Sequence, residues 1–306
     1  MYRLFLFSLL ALLTYSGYGQ NKYIKSSSIG TVEKKAPENK KLHGPVDFRE
    51  LSEMIGEQFV VMPKGKHIQS YGYQHLYKAS ASSMTDHISY KEGLGMVLKL
   101  VEFDGVHGVF QDSLENRFRS TAYSEQFSDM APMRDLEEAE KLFLHKFLWV
   151  KDFSLSTFDE KTQETGEVPN VRLTRVSVEG IQLGTEEDKP VRFILKTTGG
   201  KYGFLDVNVS GSNLGYKYRD FYSFYNTFWT YNPKLKYKYS PAIWKLIAGK
   251  DVAIGMTAQQ VKLSLGEPDE VNYSEYASGS HEQWIYGDDS SRSFYYFTNG
   301  RLTGQN

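Results

Sequence analysis

Between Ser240 and Pro268 the sequence marks where two short helices begin and end, and this leaves the following chain little choice but to pack strands against them. Ser240 is a good N-cap and Pro241 a good first helical residue. Ile243, Trp244 and Ile247 then fall on one face, and Gly249 is placed to end the helix in a left-handed conformation. A Gly255-Met256 lead-in follows, and Thr257 caps a second helix. Gln260, three residues on, completes a capping box. Val261 and Leu265 lie one turn apart, Leu263 adds apolar surface, Gly266 stops the helix and Pro268 keeps it from resuming. Strand patterns occupy 269–276, 281–287 and 292–298. Asn299-Gly300 is a strong hairpin signal into the last residues. The expectation for 240–306 is a two-helix, three- or four-stranded antiparallel α/β sandwich.

Upstream the chain reads as β-rich. Tyr (22) and Phe (19) are abundant, and such side chains suit a pleated, half-buried surface. Short strand-like runs such as 56–63, 94–103, 171–183, 189–198 and 201–210 are separated by turn residues, with Gly199-Gly200 as a two-residue hairpin turn. A β-rich unit is expected over 47–120 and a second over 121–215, with a short helix from Asp135 to about Leu142. "VLKLVEF" (97–103) aligns with "FLWVKDF" (147–153), which points to two related units in tandem. Small SH3-like barrels fit the strand spacing, and so do sandwich halves. The expected fold class is therefore α+β overall, with the β-rich part first. Residues 216–239 form an aromatic connector in which Phe221, Phe224, Tyr225 and Phe228 follow helical spacing, so a helix ending before Pro233 is expected there.

Residues 1–19 have the pattern of a secretory signal peptide. Arg3 supplies the positive start, 4–13 the apolar core, and Gly17 and Gly19 a small-residue site before Gln20. The apolar run is far short of the ~20 residues needed to span a bilayer. Residues 20–46 read as a flexible, basic leader. The chain has no cysteine, so an exported product folds without disulfides and has no thiol for a bacterial lipid anchor. Export to the periplasm or beyond is the expectation, with neither a transmembrane segment nor a lipid anchor in the mature chain. A net charge of −1 offers no electrostatic argument for nucleic acid.

The terminal residues resemble a known family. Gly255, Met256, Thr257, Val261, Leu265, Gly266, Pro268, Trp284, Tyr286, Phe297 and Gly300 follow in order the pattern of the SmpA/OmlA, or BamE-like, group. The resemblance covers about 240–306 and implies an ααβββ fold, an envelope location and protein binding rather than catalysis. The same fold resembles that of secreted inhibitors that grip β-lactamases with an aromatic sheet face. The ending also looks like that of exported proteins from Bacteroides-like Gram-negative bacteria. Two departures stand against carrying over a role in outer-membrane assembly: the missing lipobox cysteine and the long β-rich chain upstream.

Chemical motifs are sparse. The seven histidines (43, 67, 75, 87, 107, 145 and 281) include no pair at helical metal-ligand spacing. Ser280-His281-Glu282 imitates a triad, yet neighbours on a strand point apart. Asp288, Asp289 and Ser290 supply too few oxygens for calcium. No catalytic, metal-binding or cofactor-binding residue is assigned. The leading expectation is a non-catalytic exported binding or scaffold protein whose partner is another envelope protein. The contact residues are Tyr273, Tyr276, Trp284, Tyr286, Tyr295 and Tyr296, since Tyr and Trp are favoured interface anchors. Strand alternation sends some of these toward the helices as core. The alternatives are a hydrolase acting on cell-wall or other polymers, which needs clustered Asp, Glu or His in 47–210, and a secreted proteinaceous inhibitor.

Overall fold

Three antiparallel sheets, one after another along the chain, organise the computed structural model. It describes residues 44–80, 86–159, 164–215, 223–276, 279–287 and 290–306, all within one compact unit, Lys41–Asn306. The signal-peptide pattern, nearly all of the basic leader, His43, Phe221 and the Asp288-Asp289 pair lie outside the described residues.

The first sheet contains β1 (Gln58–Val61), β2 (Tyr73–Lys78), β3 (His87–Ile88), β4 (Val97–Phe103), β5 (His107–Gln111), β6 (Arg117–Tyr123), β7 (Gln126–Phe127) and β8 (Met130–Pro132). The second contains β9 (Phe147–Val150), β10 (Ser154–Phe158), β11 (Thr165–Pro169), β12 (Arg175–Glu186), β13 (Lys189–Thr197), β14 (Tyr202–Val207) and β15 (Phe228–Trp229). The third is a meander of β16 (Glu270–Tyr276), β17 (Gly279–Tyr286), β18 (Ser293–Thr298) and β19 (Arg301–Gln305).

The helices are short. Those at Tyr90–Gly93 (α1), Phe224–Thr227 (α3) and Pro233–Lys236 (α4) are single turns. Among the described residues the longer α-helices are Met133–Phe143 (α2), Pro241–Gly249 (α5) and Ala258–Leu265 (α6). Strand therefore dominates, 44% against 21% helix, and the α+β expectation is overturned. The small-barrel expectation fails as well. The first two sheets are open and curled, and β3, β8, β11 and β15 each pair with a single neighbour among the described residues. The sandwich description is likewise not retained. At about 1.5 Å per residue, helices of nine and eight residues cover only part of a four-stranded sheet.

The first two sheets are one arrangement built twice. Their orders, β3-β2-β6-β5-β4-β1-β8 and β11-β10-β14-β13-β12-β9-β15, coincide strand for strand. Register agrees: Phe59 lies opposite Leu98 as Leu148 lies opposite Val176. Both long central strands bulge at the same place, at Val101 between Leu100 and Glu102, and at Glu179 between Val178 and Gly180. Gly56 N donates to Leu100 O (2.7 Å), and its counterpart His145 N donates to Val178 O (2.9 Å). Both residues have positive φ, 95° and 61°. Gly95 and Leu173, at φ 72° and 60°, donate in the same way to Val61 O and Val150 O. Tandem units are thus present, but not in the expected alignment: 147–150 corresponds to 58–61, and 97–103 to 175–181.

Different side chains fill equivalent spaces. In the first core Phe127 packs against Phe59, Phe103 and Phe110 at 5.0–6.0 Å between ring centres. Gly108 makes room for it, since a Cβ there would lie 2.6 Å from the Phe127 ring. In the second core the Gly108 position is taken by Phe193, which packs on Phe143, Phe224 and Phe228. The expected connector helix is consequently one turn long. Phe224 and Phe228 are both buried, but Phe228 already belongs to β15, because the sheet offers that strand a hydrogen-bonded partner in β9.

Residues 208–215 tie the two units together. Asn213 accepts from Phe127 N (2.7 Å) and donates to Phe127 O (3.1 Å) and Met130 O (2.7 Å). At the other end, Arg172 of the second unit donates to the last carbonyls of α5 and α6: Ile247 O (3.1 Å), Leu263 O (3.3 Å) and Ser264 O (2.9 Å). A cation suits helix C-termini because unpaired carbonyls and the dipole meet there.

In the terminal segment, Thr257 and Gln260 form the reciprocal capping box (3.3 and 2.8 Å), and Ser240 Oγ accepts from Ile243 N. Asn299 and Gly300 both take positive φ, as a tight hairpin turn requires. One local expectation shifts: Gly249 stays helical and Lys250 takes the left-handed cap at φ 57°.

Candidate functional site

The six aromatics expected to make contacts separate by sheet face. Val271, Trp284 and Tyr295 lie opposite one another across β16–β18, and Tyr273, Glu282 and Phe297 share that side two residues along. This side meets α5 and α6. Trp284 is 2% exposed, 4.3 Å from Phe297, with Lys262 Nζ over its ring at 5.3 Å, and its Nε1 donates to Glu282. Tyr286 and Tyr295 pack edge to face beside it, and Tyr286 donates to Gly266 O (2.9 Å). Trp284, Tyr286 and Tyr295 therefore belong to the helix–sheet core. Tyr273 lies on the same side beyond the helices and is 58% exposed. Tyr276, 55% exposed, contacts His281 on the opposite face, where the Tyr296 hydroxyl accepts from Gln283. The structure thus brings exposed tyrosines to the outer strand β16 and to the sheet face away from the helices.

The motif residues take scaffold roles. Gly255 and Gly266 have positive φ, Met256 and Val261 are buried, Leu265 packs on the same core, and Pro268 follows the helix end. The paper triad dissolves: Glu282 faces Trp284, while His281 contacts Thr298 and Tyr276 on the other side. His75 packs on Tyr123. Among the described residues no group of three or more His, Asp or Glu is placed to hold a metal ion.

Two polar clusters between the first and second units escaped the sequence reading. Asp135, in the first turn of α2 and 1% exposed, accepts from Ser210 Oγ (2.6 Å). Burial pushes its carboxyl up to about 7, against the opposing pull of the Ser210 hydrogen bond and the Arg134 charge. Arg134 lies 3.9 Å from both Asp135 and Glu57 and donates to Asp47 O (2.8 Å). In the second cluster Glu187, at the β12–β13 turn, accepts from Asp129 N (2.9 Å), while the Asp129 carboxylate pairs with Lys64 (2.7 Å). Burial, with the Asp129 charge adding to it, raises Glu187 to about 7. A third cluster surrounds Arg172. Lys151 donates to Tyr225 O and lies over the Trp229 ring, and burial lowers it to about 8. Their only signal in the sequence was a set of ordinary charged residues; burial by distant segments sets them apart.

None of these clusters borders the shallow depression on the second sheet. That depression, about 100 Å³, is lined by Phe147, Arg175, Val176, Ser177, Lys196, Thr197 and Thr198. It is smaller than the roughly 300 Å³ at which small-molecule sites begin. Three cations lie over rings on this face: Arg175 on Phe147 (4.5 Å), Arg192 on Phe204 (3.8 Å) and Lys196 on Tyr202 (5.1 Å).

The fold and these surfaces define a protein of two duplicated β units and a helix-covered terminal sheet. No protein-family model matches the chain, and no curated protein does either. Among the described residues no helix is long and apolar enough to cross a membrane.

Proposed function

We propose that this chain is an exported, non-catalytic binding or scaffold protein of a Gram-negative envelope, ending in a BamE-like module and acting on another envelope protein. The observation that carries the reading is the outer strand β16, which holds Tyr273 and Tyr276 more than half exposed, Tyr273 beyond the helices on the side that α5 and α6 anchor and Tyr276 on the opposite face. Aromatic side chains fixed on a rigid strand make low-entropy interface anchors, and an outer strand adds unpaired backbone groups for a partner. The export pattern at residues 1–19 and the absence of cysteine support a periplasmic or secreted product without a lipid anchor. A hydrolase reading draws less support, because Glu57, Asp129, Asp135 and Glu187 are engaged between packed units rather than facing a cleft.

The test is cross-linking in living cells with a C-terminally tagged chain, followed by envelope fractionation. Repeated capture of one envelope protein, lost in Tyr273→Ala/Tyr276→Ala while the melting temperature holds, is the expected result. A free monomer with nothing captured overturns the reading. Capture of a single soluble enzyme at high affinity makes the chain an inhibitor.

A further inference from the structure

We propose that the outward face of the second sheet, around Arg175 and Lys196, is a subsite for the carboxylate side chains of an acidic segment on the partner protein. The proposal rests on the scaffold reading and names the chemistry of its partner at a second surface. Arg175 is exposed and stacked on Phe147, and no carboxylate lies within ion-pair distance of it among the described residues. Its donors are therefore held in place by the ring and still unused. A planar, pre-positioned guanidinium is the group best suited to take a carboxylate through two hydrogen bonds. Lys196 lies over Tyr202 and bonds to its hydroxyl, with the Glu179 charge also acting on it, and the hydroxyl-bearing Ser177, Thr197 and Thr198 complete the lining of the depression.

Neighbouring charges limit how much anion the site takes. Arg192 is neutralised by two 2.8 Å hydrogen bonds to Asp206, and Glu179, bonded to Ser177 Oγ, stands at the edge. One or two carboxylates fit this balance, whereas a dense polyanion does not. Phe147 and Tyr202 are about half exposed, at 52% and 53%, and each carries a cation on one face; the guanidinium edge of Arg175 suits an acidic side chain.

The sister unit sharpens the case. Its backbone repeats the same strand order, register and bulge, yet Phe147, Arg175, Lys196 and Tyr202 are replaced there by Gln58, Val97, Gln111 and Arg117, and Arg117 is paired with Glu102. The scaffold is kept and this face is not.

Fluorescence anisotropy of a labelled, end-blocked Gly/Ser peptide carrying two adjacent glutamates, on the intact chain, tests the proposal. Arg175→Gln/Lys196→Gln is expected to weaken binding at least tenfold with an unchanged thermal melt. Lys91→Gln/Lys99→Gln in the first unit, with the same charge loss, should change it less than twofold. Equal weakening by both pairs, no weakening by the first, or tighter binding of a uronate oligosaccharide overturns it. Envelope cross-linking separates the two readings. Capture that survives Arg175→Gln/Lys196→Gln overturns the subsite and leaves the scaffold standing, while failure of the unmodified chain to capture anything overturns both.

Discussion

Asp135 offers the sharpest test of how the two β units are held together. Its carboxyl, normally at 3.8, is raised to about 7 chiefly by burial. The folded state therefore holds a proton that the unfolded chain releases at much lower pH. The stability from this proton is fully present below 3.8 and is lost as pH rises through about 7. A shift of about three units corresponds to about 4 kcal/mol in total, and about 3 kcal/mol of that falls between roughly pH 5 and pH 8. Asp135→Asn keeps a neutral acceptor for Ser210 Oγ and removes the titration. Urea unfolding at those two pH values should show the native chain losing stability as pH rises. The variant should lose about 3 kcal/mol less over the same interval. Any residual slope should come largely from Glu187, raised for the same reason in its own cluster. If the variant keeps the full native slope, Asp135 is already ionised in the fold, Arg134 compensates its charge, and the burial argument is wrong.

Other perturbations follow from single contacts. Trp284→Ala should destabilise the chain by about 3–5 kcal/mol by leaving a cavity against Phe297, while Tyr273→Ala should stay within about 0.5 kcal/mol; paired denaturation curves decide whether the core assignment holds. Arg172→Ala should cost about 2–4 kcal/mol by stripping donors from the carbonyls of Ile247, Leu263 and Ser264, seen as early loss of hydrogen-exchange protection in α5 and α6. His145→Gly should stabilise by about 0.5–1 kcal/mol, because the residue sits in the left-handed region that its counterpart Gly56 already fills with glycine. Gly56→Ala should cost about 1 kcal/mol although a Cβ there meets nothing within 4 Å. Equal melting temperatures for native and His145→Gly chains would remove the strain argument.

What was legible in the sequence was mostly local. The cap at Thr257, its return bond from Gln260, the Asn299-Gly300 turn and the strand after Gly200 each depend on residues a few positions apart, and each appears. The aromatic connector shows where local reading stops. Phe224, Tyr225 and Phe228 carry helical spacing, yet β9 has a free edge beside Phe228 and draws it into a strand. The tandem units show the same limit. Their likeness lies in hydrogen-bond register and in positive φ at Gly56 and His145, a conformation that glycine adopts freely and histidine at a cost, and that the two residue types do not announce as a shared pattern.

The candidate contact residues divide along the same line. That Tyr273, Tyr276, Trp284, Tyr286, Tyr295 and Tyr296 lie on strands followed from the sequence. Which of them face solvent depended on where α5 and α6 end, and that is a matter of packing. By itself the sequence determined the elements whose stabilising bonds close within a turn: capped helices, hairpins and alternating strands. Only the tertiary structure decided that Asp135 is buried against Ser210, that Arg172 closes two helix ends, and that Arg175 stacks on Phe147. The physical reason is common to all three. A charged side chain acquires its character from desolvation and from partners brought in by distant segments, and chain folding alone sets both.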